Sequence, residues 1–265
     1  MSEADSRPPL SAYIRAKNEK RLIGEVVRSA LLAAREVIVV DSGSTDGTQE
    51  IARAAGAKVI EHEWTGWGRQ KRVAEDACQY DWLLDLDGDE VVTPDVAEEI
   101  KSLFTDGEPP HPVYRTMLAL APPVGEPWYG FGLQTRHKIY DRRIIRARDH
   151  DAWDQFIIPA GVSVGVLRAP LLHYAFTGAE HLMDKLNRNS SIPVEVVKPK
   201  SKPYLALRIV FGLPFYFGKR YFLQQYFRGG VYGFALSMMY GYARWLTDVK
   251  MWERTRNNAH APQES

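Results

Sequence analysis

Val37-Ile-Val-Val-Asp-Ser-Gly-Ser-Thr-Asp-Gly47 decides the fold. Its first four residues are a continuous apolar run, as in a parallel strand buried on both faces. The run stops at Asp41, and Ser42 to Gly47 is turn chemistry leading into a helix through about Ala55, with Ser44 or Asp46 as N-cap. Upstream, Leu10 to Ile14 is β-prone, and Glu19 to Leu32 spaces Leu22, Ile23, Val26, Val27, Ala30 and Leu31 as a helix does. Downstream come a strand at Lys58 to Glu61, a helix at Trp67 to Cys78 and a strand at Trp82 to Leu84. That last strand runs into Asp85-Leu-Asp-Gly-Asp-Glu90, and a helix follows from about Pro94 to Phe104, capped by Thr93. Strands alternating with helices predict an α/β fold with a parallel sheet over about the first hundred residues.

Beyond Asp106-Gly-Glu-Pro-Pro110 the pattern is less regular. Val113 to Leu120, His137 to Tyr140 and Ser163 to Leu167 read as strands, Pro122 to Gly132 as a long loop, and Glu180 to Ser190 as a helix. Loops of that length are often functional. Lys198-Pro-Lys-Ser-Lys-Pro203 reads as a linker, which divides the chain into a domain over 1–197 and an extension over 198–265.

The 265 residues, 45% of them hydrophobic, can fill a core, which excludes intrinsic disorder. The net charge of +1 conceals a division. Before Lys198 there are 23 basic and 30 acidic residues; from Lys198 onward there are 11 and 3. Half of the 30 aromatic residues lie between Tyr204 and Trp252. The single cysteine, Cys78, forms no internal disulfide, so a reduced, cytosolic setting is expected. Met1 to Pro9 is polar and carries no readable signal peptide. No run reaches the roughly 18 apolar residues of a spanning helix; Tyr204 to Gly218 is interrupted by Arg208 and Pro214.

Ligands of open α/β sheets bind beyond the carboxyl ends of the strands. Two strands end there in acid, one in Asp41 and one in Asp85, Asp87 and Asp89. Carboxylates two residues apart suit a hard divalent cation that also takes diphosphate oxygens. Asp-Gly-Asp is equally a common turn, and Asp41 equally an Asx turn capping the next helix. A calcium loop of the EF-hand type fails, because its twelfth position would be Val96 rather than Glu.

Four stretches together resemble the successive motifs of inverting family 2 glycosyltransferases of the GT-A fold. They are Lys17-Asn-Glu19, Val39-Val-Asp-Ser-Gly-Ser-Thr-Asp-Gly-Thr48, Gly68-Arg-Gln-Lys71 and Leu84-Asp-Leu-Asp-Gly-Asp-Glu90. Glu61-His-Glu-Trp-Thr-Gly-Trp-Gly68, His173-Tyr-Ala-Phe-Thr-Gly178 and Lys185-Leu-Asn187 are similar to the lipopolysaccharide core glucosyltransferase branch. The resemblance covers about residues 10 to 190 and implies a Rossmann-like, nucleotide-sugar-binding mixed sheet flanked by helices.

It implies roles as well. Asp41 would accept from the imide N–H of uracil, with Asn18 and Glu19 beside the nucleoside and Gln70 and Lys71 near ribose or phosphate. Asp87 and Asp89 match the Asp-x-Asp motif, binding sugar and ribose on one side and Mg²⁺ or Mn²⁺ on the other. The metal would stabilise the departing nucleoside diphosphate. Inversion needs a carboxylate base. Related enzymes carry a His-Glu pair where this chain reads Trp153-Asp154, so Asp154 is the candidate base and Asp149, Asp151 or no base at all are the alternatives. His173 would lie at the site edge, touching diphosphate or metal, unless it is structural. In the cluster Arg136, Lys138, Arg142, Arg143, Arg146 and Arg148, the first two are the candidates for binding an anionic acceptor or the donor phosphates, and the rest read as a solvated face.

The basic, aromatic stretch from Tyr204 to Trp252 suits amphipathic helices lying in a membrane interface; packing on the catalytic domain or in a homo-oligomer is the alternative. No nucleic-acid module accompanies it, so nucleic acid is not an expected partner. The expected protein is a metal-dependent hexosyltransferase using a UDP-sugar. It would act on a lipid-linked or lipopolysaccharide-type glycan, peripherally on the cytoplasmic face of the inner membrane. A nucleotidyltransferase would show a Gly-rich basic loop where this chain has Arg15-Ala-Lys-Asn-Glu19, and a non-catalytic sugar-nucleotide binder would explain the missing His-Glu pair.

Overall fold

β1 (Leu10–Ala16) is buried along its whole length, because parallel strands cover it on both sides: β2 (Glu36–Asp41) and β4 (Trp82–Asp87). A computed structural model of the chain describes residues 7–151, 153–198 and 200–257. Residues 1–6 of the polar start, Pro199 of the expected linker and 258–265 of the expected extension lie outside the described residues. The chain forms two compact units. One runs to Ala121 and resumes from Gln134 to Tyr174; the other comprises 122–133 and the chain from Ala175 onward.

In the first unit α1 (Ile23–Ala30), α2 (Thr48–Ala54), β3 (Lys58–Glu61), α3 (Trp67–Ala77), β5 (Glu90–Val91) and α4 (Pro94–Leu103) complete the first half of the chain. β6 (Val113–Leu120), β7 (Gln134–Asp141), β8 (Val164–Val166) and β9 (Leu171–His173) follow. The sheet order is β3-β2-β1-β4-β7-β6-β9-β5, with β8 beside β6. β3, β2, β1 and β4 are parallel, as the alternating pattern predicts, and β7 joins β4 antiparallel. This is the mixed α/β sheet that the resemblance implies. One face packs Ala12, Ile14, Val39 and Leu86 against α1 and α4; the other packs Tyr13, Ile38, Val40 and Leu83 against Ala74 and Cys78 near the end of α3.

Several boundaries differ from the sequence reading. α1 begins at Ile23 rather than Glu19; the Glu19 carbonyl instead accepts the N–H groups of Leu22 and Ile23. The α2 N-cap is Gly47 at φ 91°, a left-handed conformation that glycine adopts without strain. Asp46, one position earlier, accepts from the Thr48 N–H and hydroxyl. β5, with its two residues, is too short to show any alternation. Thr93 caps α4 as expected, accepting from the Val96 N–H.

The second unit holds α5 (Ala179–Val196), α6 (Lys202–Gly218), a π-helical stretch (Lys219–Leu223), a 3-10 turn (Tyr226–Gly229) and α7 (Gly230–Asn257). The expected break before Lys198 falls between α5 and α6. α6 takes in the end of the expected linker because Pro203 sits in its first turn, where the missing N–H costs nothing. Lys250 of α7 donates to Asn187, Ser190 and Ser191 of α5 at 2.8–3.0 Å. The long loop folds onto the 3-10 turn: Trp128 packs edge-on to Tyr226, and Arg228 donates to the Gly130 carbonyl. Among the described residues no helix is long and apolar enough to cross a membrane.

Ile14 is fully buried at the centre of the sheet, so Ile14→Ala is expected to cost about 2–5 kcal/mol, read from the urea midpoint at unchanged slope. Ile144→Ala, at an exposed side chain, is expected to stay within about 0.5 kcal/mol.

Candidate active site

Strand pairing sets the first contacts. β1 and β4 place Tyr13 beside Asp85 and Arg15 beside Asp87. Successive side chains alternate across a sheet, so Leu83, Asp85 and Asp87 share the α3 face while Leu84 and Leu86 enter the core opposite. Along that face the strand changes from apolar to acidic as it reaches its carboxyl end.

There the ions form a network. Arg15, buried, donates from Nη2 to Asp87 at 2.5 Å and lies 3.1 Å from Asp154. Lys71 of α3 meets Asp85 at 2.6 Å, both buried, and lies 3.4 Å from Asp154. Lys138 of β7 pairs with Glu90 at 2.5 Å, again buried, and Glu90 also accepts the Asp87 N–H. Desolvation acts to raise the Asp87 carboxyl, but Arg15, Lys138 and Lys71 overcome it and hold that group well below the usual carboxylate range. Asp154 is lowered in the same way: burial opposes, Lys71 and Arg15 prevail. Glu90 is raised, since burial and the neighbouring acids outweigh Lys138. Lys138 is raised because its carboxylates overcome burial.

A second network joins the loops after β1 and β2. Asn18, at φ 58°, accepts the Thr45 N–H on its side-chain oxygen and donates its own N–H to the Ser44 hydroxyl. Asp41 is fully buried. Its Oδ1 accepts from Gly43 N, Ser44 N and Gln49 Nε2, and its Oδ2 from the Ser44 hydroxyl. The Glu19 N–H donates to Thr48 Oγ1 at 2.8 Å. Asp41 therefore forms the Asx turn that its position allows.

Gln70, also fully buried, donates to Ser42 Oγ and the His62 carbonyl, which fixes the start of α3 to the loop after β2. The segment before Asp154 lies across the same helix start. The Trp67 and Gly68 N–H groups donate to the Asp151 and His150 carbonyls. A Cβ on Gly68 would stand 2.0 Å from the Arg148 carbonyl oxygen, so only glycine permits the approach. Asp149 and Asp151, the alternative bases, are exposed and pair with Arg69.

Asp89 lies 3.5 Å from His173 Nε2, each partly buried, because β5 and β9 pair Glu90 with His173 and the Tyr174 N–H donates to the Asp89 carbonyl. Among the described residues no group of three or more His, Cys, Asp or Glu could hold a metal unaided. One carboxylate with an adjacent imidazole does fit a Mg²⁺ or Mn²⁺ that completes its shell with diphosphate oxygens and water. The surrounding charge fits too, with Asp85, Asp87, Asp89, Glu90 and Asp154 facing Arg15, Lys71 and Lys138.

Arg136 is exposed on β7 and donates to Gln134 and the Thr135 carbonyl. Of its cluster, Arg142 pairs with Asp81, Arg143 with Asp141 and Glu108, and Arg146 with Glu75. These three brace the fold. Sequence reasoning missed Arg15, because a lone ion at a strand end has no local signature, and Glu90, because its partner Lys138 lies 48 residues away.

Residues 11–167 match the family model described as glycosyl transferase family 2. An uncharacterized glycosyltransferase of Rickettsia felis is 31% identical over 92% of this chain and 89% of its own. A lipopolysaccharide core biosynthesis glycosyltransferase of Rhizobium meliloti is 27% identical over 93% of each chain. Among solved structures, glucosyl-3-phosphoglycerate synthase from Mycobacterium tuberculosis, in complex with Mg²⁺ and UDP, is 26% identical over 43% of this chain. That match spans 45% of the synthase, with a TM-score of 0.37.

Lys71→Met leaves the buried Asp85 anion without its cation, and a loss of about 3–5 kcal/mol is expected. Adding Asp85→Leu should restore most of it; a double-mutant cycle on urea midpoints that shows additive losses would refute the pairing.

Proposed function

The chain belongs to glycosyl transferase family 2, and on that premise we propose that it transfers a sugar from a UDP-linked donor, with inversion, onto a membrane-associated glycan of the lipopolysaccharide-core type. The ion cluster at the carboxyl edge of β1 and β4 carries this reading. It combines cations able to meet a diphosphate with carboxylates able to hold a metal and take a proton. The likeness to the Rhizobium core-biosynthesis enzyme over nearly the whole chain supports the acceptor class. We assign its place to the cytoplasmic face of the inner membrane, with residues 198–265 as the contact.

In this mechanism the loops after β1 and β2 hold the nucleoside. Among the described residues Asp41 Oδ2 accepts only the Ser44 hydroxyl; with Asp41 buried, the uracil imide would reach that oxygen once the Ser44 hydroxyl turns aside. We assign Asn18 and Glu19 to the nucleoside and Arg136 to the acceptor, while buried Gln70 anchors the start of α3 to the loop after β2. Asp89 and His173, with Asp87 as a further carboxylate, would hold Mg²⁺ or Mn²⁺, which would supply Lewis-acid stabilisation of the departing diphosphate.

Asp154 is the base that removes the acceptor hydroxyl proton. Its carboxylate is ionised at neutral pH and 32% exposed. While Arg15 and Lys71 hold it, it is a weak base. Donor diphosphate draws those two cations toward itself, which raises the basicity of Asp154 once donor is bound.

Asp89→Ala and metal chelation are each expected to lower transfer at least 100-fold in assays with a panel of UDP-sugars; unchanged activity overturns the metal role. Asp154→Asn should cost about 10²–10⁴ in turnover, with the anomer of the product, read by NMR, reporting inversion. The lowered Asp154 carboxyl puts the acid limb of kcat/KM below its ordinary 3.8. Donor-free Asp154 therefore adds no limb between pH 7 and about 5; a limb there that moves in His173→Gln reports the metal ligand, and one that moves in Asp154→Glu reports the base with donor bound.

A further inference from the structure

The second unit buries Leu205, Tyr226, Leu236 and Met251 and also exposes a large apolar surface. On α6 the exposed positions Leu207, Val210, Phe211 and Phe215 form one helical stripe and are 57–67% exposed. Phe222 and Leu223 continue it, at 63% and 78%. On α7 Val231, Phe234, Met238 and Tyr242 form a second exposed stripe. Polar groups are buried beside the apolar ones. Asp248 is buried and accepts from Arg208 at 3.0 Å and from the Tyr216 hydroxyl at 2.7 Å. Ser237 is fully buried and donates to the Gly233 carbonyl.

The contact between the helices follows the same logic. Gly229, Gly233, Ser237 and Gly241 recur every fourth residue. A Cβ on Gly241 would stand 3.1 Å from Phe217 N of α6, and one on Gly233 would stand 1.9 Å from the Tyr226 carbonyl oxygen of the preceding 3-10 turn. Close backbone approach at glycine and buried hydrogen bonds, with aromatic and aliphatic side chains also on the outside, are features of helices packed in hydrocarbon surroundings.

Charge selects the occupant. Residues 198–247 contain eight Lys and Arg and no Asp or Glu, and Lys202, Lys219, Arg228 and Arg244 are exposed. Lys219 follows Phe215 by four residues at the end of the α6 stripe, so a second copy on that stripe would bring like charges together, whereas anionic headgroups neutralise them. Neither helix is long and apolar enough to cross, so the apolar stripe reaches acyl chains only by lying within one leaflet.

We propose that α6, the π-helical stretch and α7 form an in-plane insert in an anionic membrane leaflet, with Phe211, Phe215, Phe222 and Leu223 among the acyl chains and Lys202 and Lys219 at the headgroups. This rests on the membrane contact assigned above and gives it a face and a lipid chemistry.

The test is flotation of the full chain with phosphatidylcholine vesicles, with and without phosphatidylglycerol, alongside UDP binding by calorimetry on the same proteins. Wild type is expected to float with the anionic vesicles. The pair Phe211→Asp and Phe215→Asp should lower partitioning more than tenfold, and Lys202→Gln with Lys219→Gln should lower it several-fold on anionic vesicles alone. A fluorophore on Phe215→Cys should shift to the blue on binding; Cys78 is buried and does not compete for label. Wild type that stays in the bulk, or aspartate variants that float equally, overturns the insert. A dimer lost in the Phe211→Asp and Phe215→Asp variant, without flotation, assigns the face to a second copy. UDP binding retained when flotation fails leaves the transferase reading standing; flotation without UDP binding does the reverse.

Discussion

A buried guanidinium at the end of the central strand organises the first unit. Arg15 points into a region from which water is largely excluded, and an unpaired charge there would cost several kcal/mol. Asp87 from the neighbouring strand and Asp154 from a distant segment supply the compensation. Lys71 and Asp85 repeat the arrangement one residue pair further in. These pairs are weak evidence for stability, because desolvation absorbs most of the attraction. They do fix geometry. A carboxylate with two cationic neighbours occupies one position, and the chain from Arg148 to Asp154 must follow it across the start of α3.

Glycine makes that path available. Gly66 and Gly68 bring two backbones into contact where any Cβ would strike a carbonyl or Cα, and the contact itself is a pair of N–H···O=C bonds. The cluster thus combines carboxylates whose proton affinities are pushed apart. Asp87 and Asp154 are lowered by cations, and Glu90 is raised by burial and its acidic neighbours. Such divergence marks sites that handle charge and protons.

The second unit follows a different solvent rule. Asp248 pairs with Arg208 and Tyr216, Lys250 of α7 donates to α5, and the apolar stripes of α6 and α7 are turned outward although Leu205, Leu236 and Met251 are buried. In water alone that distribution would be unfavourable.

The sequence by itself determined the strand–helix order of the first hundred or so residues, because apolar runs and helical spacing are local signals that packing did not override. It also determined the carboxylates at the strand ends, the helical character of the extension and the family, since motifs lie in contiguous residues. Only the tertiary structure decided which acids meet which bases. Arg15 and Asp87 are neighbours through strand register, Asp89 and His173 through the pairing of two very short strands, and Lys138 and Glu90 through an antiparallel strand inserted late in the chain. Ion pairing between residues far apart in sequence depends on register and crossover, to which no local residue pattern responds. The outward turn of Phe211 and Phe215 is likewise a matter of helix phase against a neighbour. An aromatic residue has the same composition whether it faces the core or the solvent.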